Sequence, residues 1–137
     1  MNTLLALGAM VGAVIPKAPV PEVIDSERLL AAIAMVETGN DNSKLGKWGE
    51  RSAWQFGKPT WRQYTTEPFH RASTDRLLSK RIADRHYQYL STWLQRRKIA
   101  VTVRTLAAAW RYGEKWALLL QDSDYAERVE NLYKSTE

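Results

Sequence analysis

The residues best placed to do chemistry are Glu37, at the end of the apolar run Leu29 to Val36, and the strip Ser52-Ala53-Trp54-Gln55-Phe56 that follows one polar loop later. A carboxyl group at the inner end of an apolar helix loses solvation, which disfavours its charged form and raises its pKa toward the range useful to a general acid. Set against flat rings and an amide, such an acid can protonate the oxygen of a sugar ether. The stretch therefore reads as a glycosidase site. Taken by itself, Glu37 has a plainer reading as an exposed residue of a helix's last turn, because helix ends are often wet.

Glycosidases that use water or a covalent intermediate need a second carboxylate, about 5–5.5 Å from the first for retention and roughly 6.5–9.5 Å for inversion. Glu50 and Asp41 are acids of the same loop, so each is either that second carboxylate or a solvated loop charge. Trp48 and Trp61 are sugar platforms or core residues, the commoner fate of an isolated Trp being the core.

Composition removes other chemistries. The chain has no cysteine, hence no thiolate nucleophile, disulfide or thiolate metal site. Its two histidines, His70 and His86, are too few for a multi-histidine metal centre. No metal and no cofactor are expected, and His86 reads as a packing residue. The net charge of +5 favours a polyanionic partner: nucleic acid, an anionic membrane face or a bacterial wall rich in acidic polymers. The basic residues between Arg76 and Arg85 and the run Arg96-Arg97-Lys98 open a competing reading, a helical nucleic-acid-binding protein without catalysis. A solvated helix face accounts for them more simply, and a helix, glycine loop and aromatic strip have no groove-reading logic. No nucleic-acid partner is expected.

The elements that must position Glu37 are helical. At 137 residues the chain makes one domain with a substantial core. Residues 1–15 are apolar and uncharged, shorter than the roughly 20 residues a membrane span needs, and suit the apolar part of a secretion signal or an N-terminal arm packing on the domain. Pro16, Pro19 and Pro21 then make an extended linker, so the domain occupies residues 22–137. Asp25 or Ser26 caps a first helix in which Leu30, Ile33 and Glu37 share a stripe, and Gly39 stops it. Residues 40–49 are loop, Pro59 opens a short helix marked by Trp61 and Tyr64, and residues 66–73 are irregular. Ser73 or Thr74 caps the longest helix, with Leu78, Ile82, Tyr89 and Trp93 on its core face. Thr102 or Thr105 opens a helix interrupted by Gly113, Trp116 to Leu120 form a further apolar turn, and Asp122-Ser123-Asp124 caps a last helix with Ala126, Val129, Leu132 and Tyr133 inward. The expected class is mainly α, about six helices without strands.

Four segments in order resemble a known family. Glu37-Thr38-Gly39, then Gly49 and Ala53-Trp54-Gln55-Phe56, then Ala108-Ala109-Trp110-Arg111-Tyr112-Gly113, then Tyr125 to Tyr133 look like the ordered motifs of the soluble-lytic-transglycosylase and goose-type-lysozyme group of the lysozyme-like superfamily. Those motifs are a Glu-Ser helix end, a Gly-Leu-Met-Gln segment followed by an aromatic or aliphatic residue, an Ala-Tyr-Asn-x-Gly segment and a Tyr-Val-x-x-Val-x-x-x-Tyr helix. The interval from Glu37 to Gln55 also matches the family's spacing, and the resemblance spans residues 26–134. It implies a lysozyme-like helical domain with long active-site loops that cuts the β-1,4 bond between N-acetylmuramic acid and N-acetylglucosamine in peptidoglycan. It further implies Glu37 as single acid and base, giving a 1,6-anhydro product. Gln55 and the backbone of Trp54 and Phe56, together with Ser52, Trp110 and Arg111, would meet the sugars, and Tyr125 would join them near the carboxyl group. The chain departs from the pattern at Ser52 (family Gly), Trp54 (Met), Trp110 (Tyr) and Arg111 (Asn). Arg111 is the largest departure: a guanidinium donates but cannot accept, and can bind a lactyl or peptide carboxylate instead.

The expectation is thus a monomeric peptidoglycan-cleaving enzyme without stable membrane insertion, acting on glycan strands, exported to the bacterial envelope or periplasm or carried by a phage. Two alternatives stand beside it: a lysozyme-type hydrolase using Glu50, and a wall-binding protein that has lost catalysis.

Overall fold

Asp25 caps the first described helix by accepting a hydrogen bond from Arg28 N (3.2 Å), while its own N–H donates to Tyr133 Oη (3.0 Å) and so ties that helix to the last. The computed structural model describes residues 22–136, and the expected signal or arm and proline linker, residues 1–21, lie outside the described residues. Helix α1 (Ser26–Thr38) buries Leu29, Leu30, Ala32, Ile33 and Ala34. It ends at Gly39, whose φ of 66° is the left-handed conformation a residue without Cβ takes at least cost. There the Gly39 N–H reaches Met35 O and the Asn40 N–H reaches Ala34 O.

Helix α2 (Lys58–Tyr64) has Pro59 in its first turn and seats Trp61 in the core, with Nε1 donating to Glu67 O at 2.9 Å. The stretch read from sequence as irregular contains one helical turn, α3 (Arg71–Thr74). Four residues are too few to show a period. Helix α4 (Arg76–Arg96) is the longest, as expected, but its cap is Asp75 rather than Ser73 or Thr74. The Asp75 carboxylate accepts from Leu78 N and is held by Arg71, while both hydroxyls turn back to His70 O.

The core face of α4 also differs from expectation. Ser79, Ile82, Ala83, Leu90, Ser91 and Leu94 are buried, Leu78 and Trp93 sit at the margin, and Tyr89 is exposed with its hydroxyl donating to Glu114 Oε1. Small residues (Ser79, Ala83, Ser91) share the buried stripe with the aliphatic Ile82, Leu90 and Leu94, and the aromatic rings lie at its edges.

Helix α5 (Val103–Tyr112) opens with a reciprocal cap between Thr102 and Thr105 and buries Val103 and Thr105 to Ala109. A 3₁₀ turn (Glu114–Trp116) follows, and of the next residues only Ala117 is buried while Trp116, Leu118 and Leu119 are exposed. Helix α6 (Asp124–Ser135), capped by Ser123, buries Tyr125, Ala126, Val129 and Tyr133. It lies against both α1 and α5, so these three helices carry the centre of the core. The described residues are mainly helical, with no strand beyond two isolated bridges, Leu45 with Arg51 and Arg51 with Phe56. None of their helices is long and apolar enough to cross a membrane.

Candidate active site

The stripe that buries α1 carries Glu37 inward on its last turn, leaving the side chain only 6% exposed. Two groups meet the carboxyl from different helices. Tyr125 Oη, at the start of α6, donates to Oε2 at 2.8 Å, and Arg111 Nη1, at the end of α5, donates to Oε1 at 3.2 Å. The Arg111 guanidinium also lies over the Tyr125 ring, 5.5 Å from its centroid, a cation–π arrangement that orients the phenol.

The balance at Glu37 lifts its pKa above the ordinary carboxyl value. Burial is the largest influence and raises its pKa, Tyr125 and then Arg111 pull it down, and the negative charge of Glu50 pushes it up again. The Tyr125 phenol is itself held well above its ordinary value by burial and by the neighbouring carboxyl. At this site Tyr125 is a donor and not a base.

The loop after α1 is shaped by its own backbone. Arg51 and Phe56 exchange two hydrogen bonds (3.0 and 2.8 Å), and the Gly46 N–H reaches Glu50 O at 2.8 Å. A Cβ at Gly46 would collide with the Glu50 carboxyl and the Gln55 amide oxygen, so glycine here lets those two side chains lie side by side. Gln55 Nε2 donates to Lys44 O and Ser52 O. Glu50 Oε1 is buried without a hydrogen-bond partner among the described residues, which costs free energy unless a polar group answers it.

The strip reaches the acid through its backbone. Thr38, next to Glu37, donates to Ala53 O (2.9 Å) and to Ala34 O (3.1 Å). Asn42 Oδ1 accepts from Ala53 N (3.1 Å) while its amide donates to Ala72 O. Ser52, Trp54 and Phe56 turn their side chains into the core, at 0%, 3% and 2% exposure, which takes these side chains away from any sugar. Phe56 has both backbone polar groups engaged by Arg51, and Trp54 O takes the Trp110 Nε1 hydrogen at 3.2 Å. Gln55 remains only part-buried. Trp110 packs on Phe56 and edge-on to His86 (4.8 Å).

The structure thus gathers Glu37, Arg111, Tyr125 and the charge of Glu50, with Gln55 beside Glu50. Ser52, Trp54, Phe56 and Trp110 form the support beneath. Trp61 is core, and Trp48 is 83% exposed with the Lys47 ammonium 5.2 Å above its ring. Asp41 serves the loop, accepting from the Ser43 backbone and hydroxyl. His86 is a packing residue as expected: its Nδ1 lies 2.7 Å from Tyr64 Oη, and burial lowers its pKa to about 4. Sequence reasoning passed over Thr38, Asn42 and Gly46 as positioning residues. A hydroxyl just before the helix-stop Gly39 and an amide three residues after it were the available signal for the first two.

Two concavities lie away from this acid: one of about 830 Å³ lined by residues such as Tyr87, Gln95, Val101 and Leu118, and one of about 400 Å³ around Trp93. No group of three or more metal-ligating side chains occurs among the described residues. Compared with known proteins, the chain matches no family model, no curated protein and no solved structure.

Proposed function

We propose that this chain cleaves peptidoglycan glycan strands as a lytic transglycosylase, with Glu37 as its single acid and base. The observation that carries the reading is the Glu37 carboxyl itself, buried at the end of α1, biased toward its protonated form and flanked by a fixed phenol donor. In the first step Glu37 gives its proton to the glycosidic oxygen as the bond from that oxygen to the muramyl C1 breaks. The carboxylate left behind takes the proton of the muramyl C6 hydroxyl, whose oxygen closes on C1 to form the 1,6-anhydro ring. Atoms balance without water, and the enzyme ends with its proton restored. Tyr125 steadies the carboxylate between the two steps. The site of action on this reading is the envelope wall, reached by export or delivered by a phage.

Glu37→Gln keeps an amide where the acid stood and should abolish wall clearing with the fold intact. Mass spectrometry of digested peptidoglycan should find fragments lighter by one water than reducing-end products. Undiminished clearing by the variant overturns the reading.

A second reading, lysozyme-type hydrolysis with Glu50 activating water, is favoured by the buried, unpartnered Glu50 Oε1. Water-added products that vanish in Glu50→Gln would select it.

A further inference from the structure

Arg111 works against the acid it touches. A guanidinium beside a carboxyl stabilises the carboxylate, yet bond cleavage begins with the proton on Glu37, so the contact must loosen when substrate arrives. Its geometry allows this. Arg111 is rooted in the last turn of α5, its side chain is 51% exposed, and among the described residues the bond from Nη1 to Glu37 Oε1 is the one hydrogen bond its guanidinium makes. Of five N–H donors in a planar fork, most are therefore left for solvent or ligand, on the outer side of a buried acid. A guanidinium cannot accept from an amide or hydroxyl, and its matched partner is a planar carboxylate taken through two parallel bonds.

Resting on the glycan-cleaving reading, we propose that Arg111 is a specificity residue that takes a carboxylate carried by the muramyl residue at the cut bond and releases Glu37 as it does so. That carboxylate has two sources, the lactyl group of a peptide-free strand or the stem peptide of a substituted one. The charges already at the acid agree in sign. Tyr125 from α6 and Arg111 from α5 favour its ionised form and Glu50 from the loop opposes it, so a ligand carboxylate that engages Arg111 adds to the side of Glu50.

The test uses three probes: peptide-free glycan strands, peptide-bearing strands, and peptide-free strands whose lactyl carboxylates are capped as methylamides. Wild type should cut at least one carboxylate-bearing probe about tenfold faster in kcat/KM than the capped strands, equivalent to about 1.4 kcal/mol. Arg111→Gln should close that gap and Arg111→Lys restore part of it, since an ammonium keeps the charge without the fork. Whichever uncapped probe is preferred identifies the source. Calorimetric binding to Glu37→Gln should show the same preference, and the Glu37→Gln/Arg111→Gln double variant should lose it. Equal handling of capped and uncapped strands by wild type, or a preference that survives Arg111→Gln, overturns the proposal. A binding preference that depends on Arg111 with no cleavage of any probe would overturn the catalytic reading and with it the release of Glu37, while supporting carboxylate recognition by Arg111. Failure to bind any strand overturns both.

Discussion

A buried acid should cost the fold stability, and the cost can be measured by removing its charge. Ionised Glu37 has lost water, a penalty of several kcal/mol for a buried ion. Against this stand the Tyr125 hydrogen bond, of about 1.5–3 kcal/mol for a bond to a charged group, and the Arg111 pair, about 0–1 kcal/mol because the guanidinium is half exposed. The upward displacement of the Glu37 pKa shows that burial outweighs both. Glu37→Gln keeps an acceptor for Tyr125 and removes the charge, so at neutral pH the variant should be more stable by about 0.5–2 kcal/mol. At about 4 °C per kcal/mol for a chain of this size, its Tm should rise by roughly 2–8 °C.

The pH dependence fixes the cause. Between the ordinary carboxyl value of 4.5 and the raised native one, the native state binds more protons than the unfolded state, so wild-type stability falls as pH rises through that window. Below it both states are protonated and the advantage of the variant should vanish. His86 acts in the opposite sense. Its pKa, lowered from 6.5 to about 4, makes either protein less stable as pH falls through that interval, so the difference between the two melting curves is the quantity to follow. Thermal unfolding by circular dichroism from about pH 4 to about pH 8 gives it. A variant less stable than wild type at neutral pH, or an advantage that does not change with pH, refutes the reasoning.

Tyr125→Phe removes the 2.8 Å donor and leaves a buried carboxyl short of a partner. Denaturant unfolding should show a loss of about 1–3 kcal/mol, and the alkaline limb of the rate profile should move to higher pH because Tyr125 lowers the Glu37 pKa. Trp48→Ala should leave stability within about 0.5 kcal/mol of wild type, given its exposure. Trp61→Ala should cost about 3–5 kcal/mol, because it empties a fully buried site and deletes the bond to Glu67 O. In an NMR titration the His86 ring should stay neutral down to about pH 4, and a midpoint near the ordinary imidazole value would mean the ring is wet.

Much of the fold was legible because local chemistry marks helix ends. Asp25, Thr102 and Ser123 cap the helices assigned to them, and Gly39 ends α1 as its type suggests. The face of α4 was misjudged in part because apolar bulk attracted attention to Tyr89, while the small Ser79, Ala83 and Ser91 are buried beside Ile82. Its cap was missed because Arg71, four residues before Asp75, favours that carboxylate over the neighbouring hydroxyls. At the site, a buried Glu37 follows from the stripe of α1. The partners of its carboxyl do not follow from spacing, since Arg111 and Tyr125 stand 74 and 88 positions away, and only the family resemblance put them forward. The nearness of Glu50 and Gln55 over the bare Gly46 was out of reach, because it depends on a loop closed by the bonds between Arg51 and Phe56.

Ser52 stands where the motif it resembles has glycine, and the backbone there has a requirement of its own. Its φ of 83° lies in the left-handed region, where a side chain costs about 1–2 kcal/mol and glycine almost nothing. The serine offsets that strain through its buried hydroxyl, which accepts from Trp54 N at 3.1 Å. Ser52→Ala keeps the strain and leaves a buried N–H without its acceptor, a loss of about 1–3 kcal/mol. Ser52→Gly loses the same acceptor but relieves the strain, so it should be the milder change by about 1 kcal/mol, although glycine is usually the worse replacement in ordered structure. Urea unfolding of the two variants beside wild type decides the order. If alanine proves equal to or better than glycine, the left-handed turn does not constrain position 52, and the strip that borders Glu37 is held by its bonds to Thr38, Asn42 and Trp110 and by the Arg51–Phe56 pair.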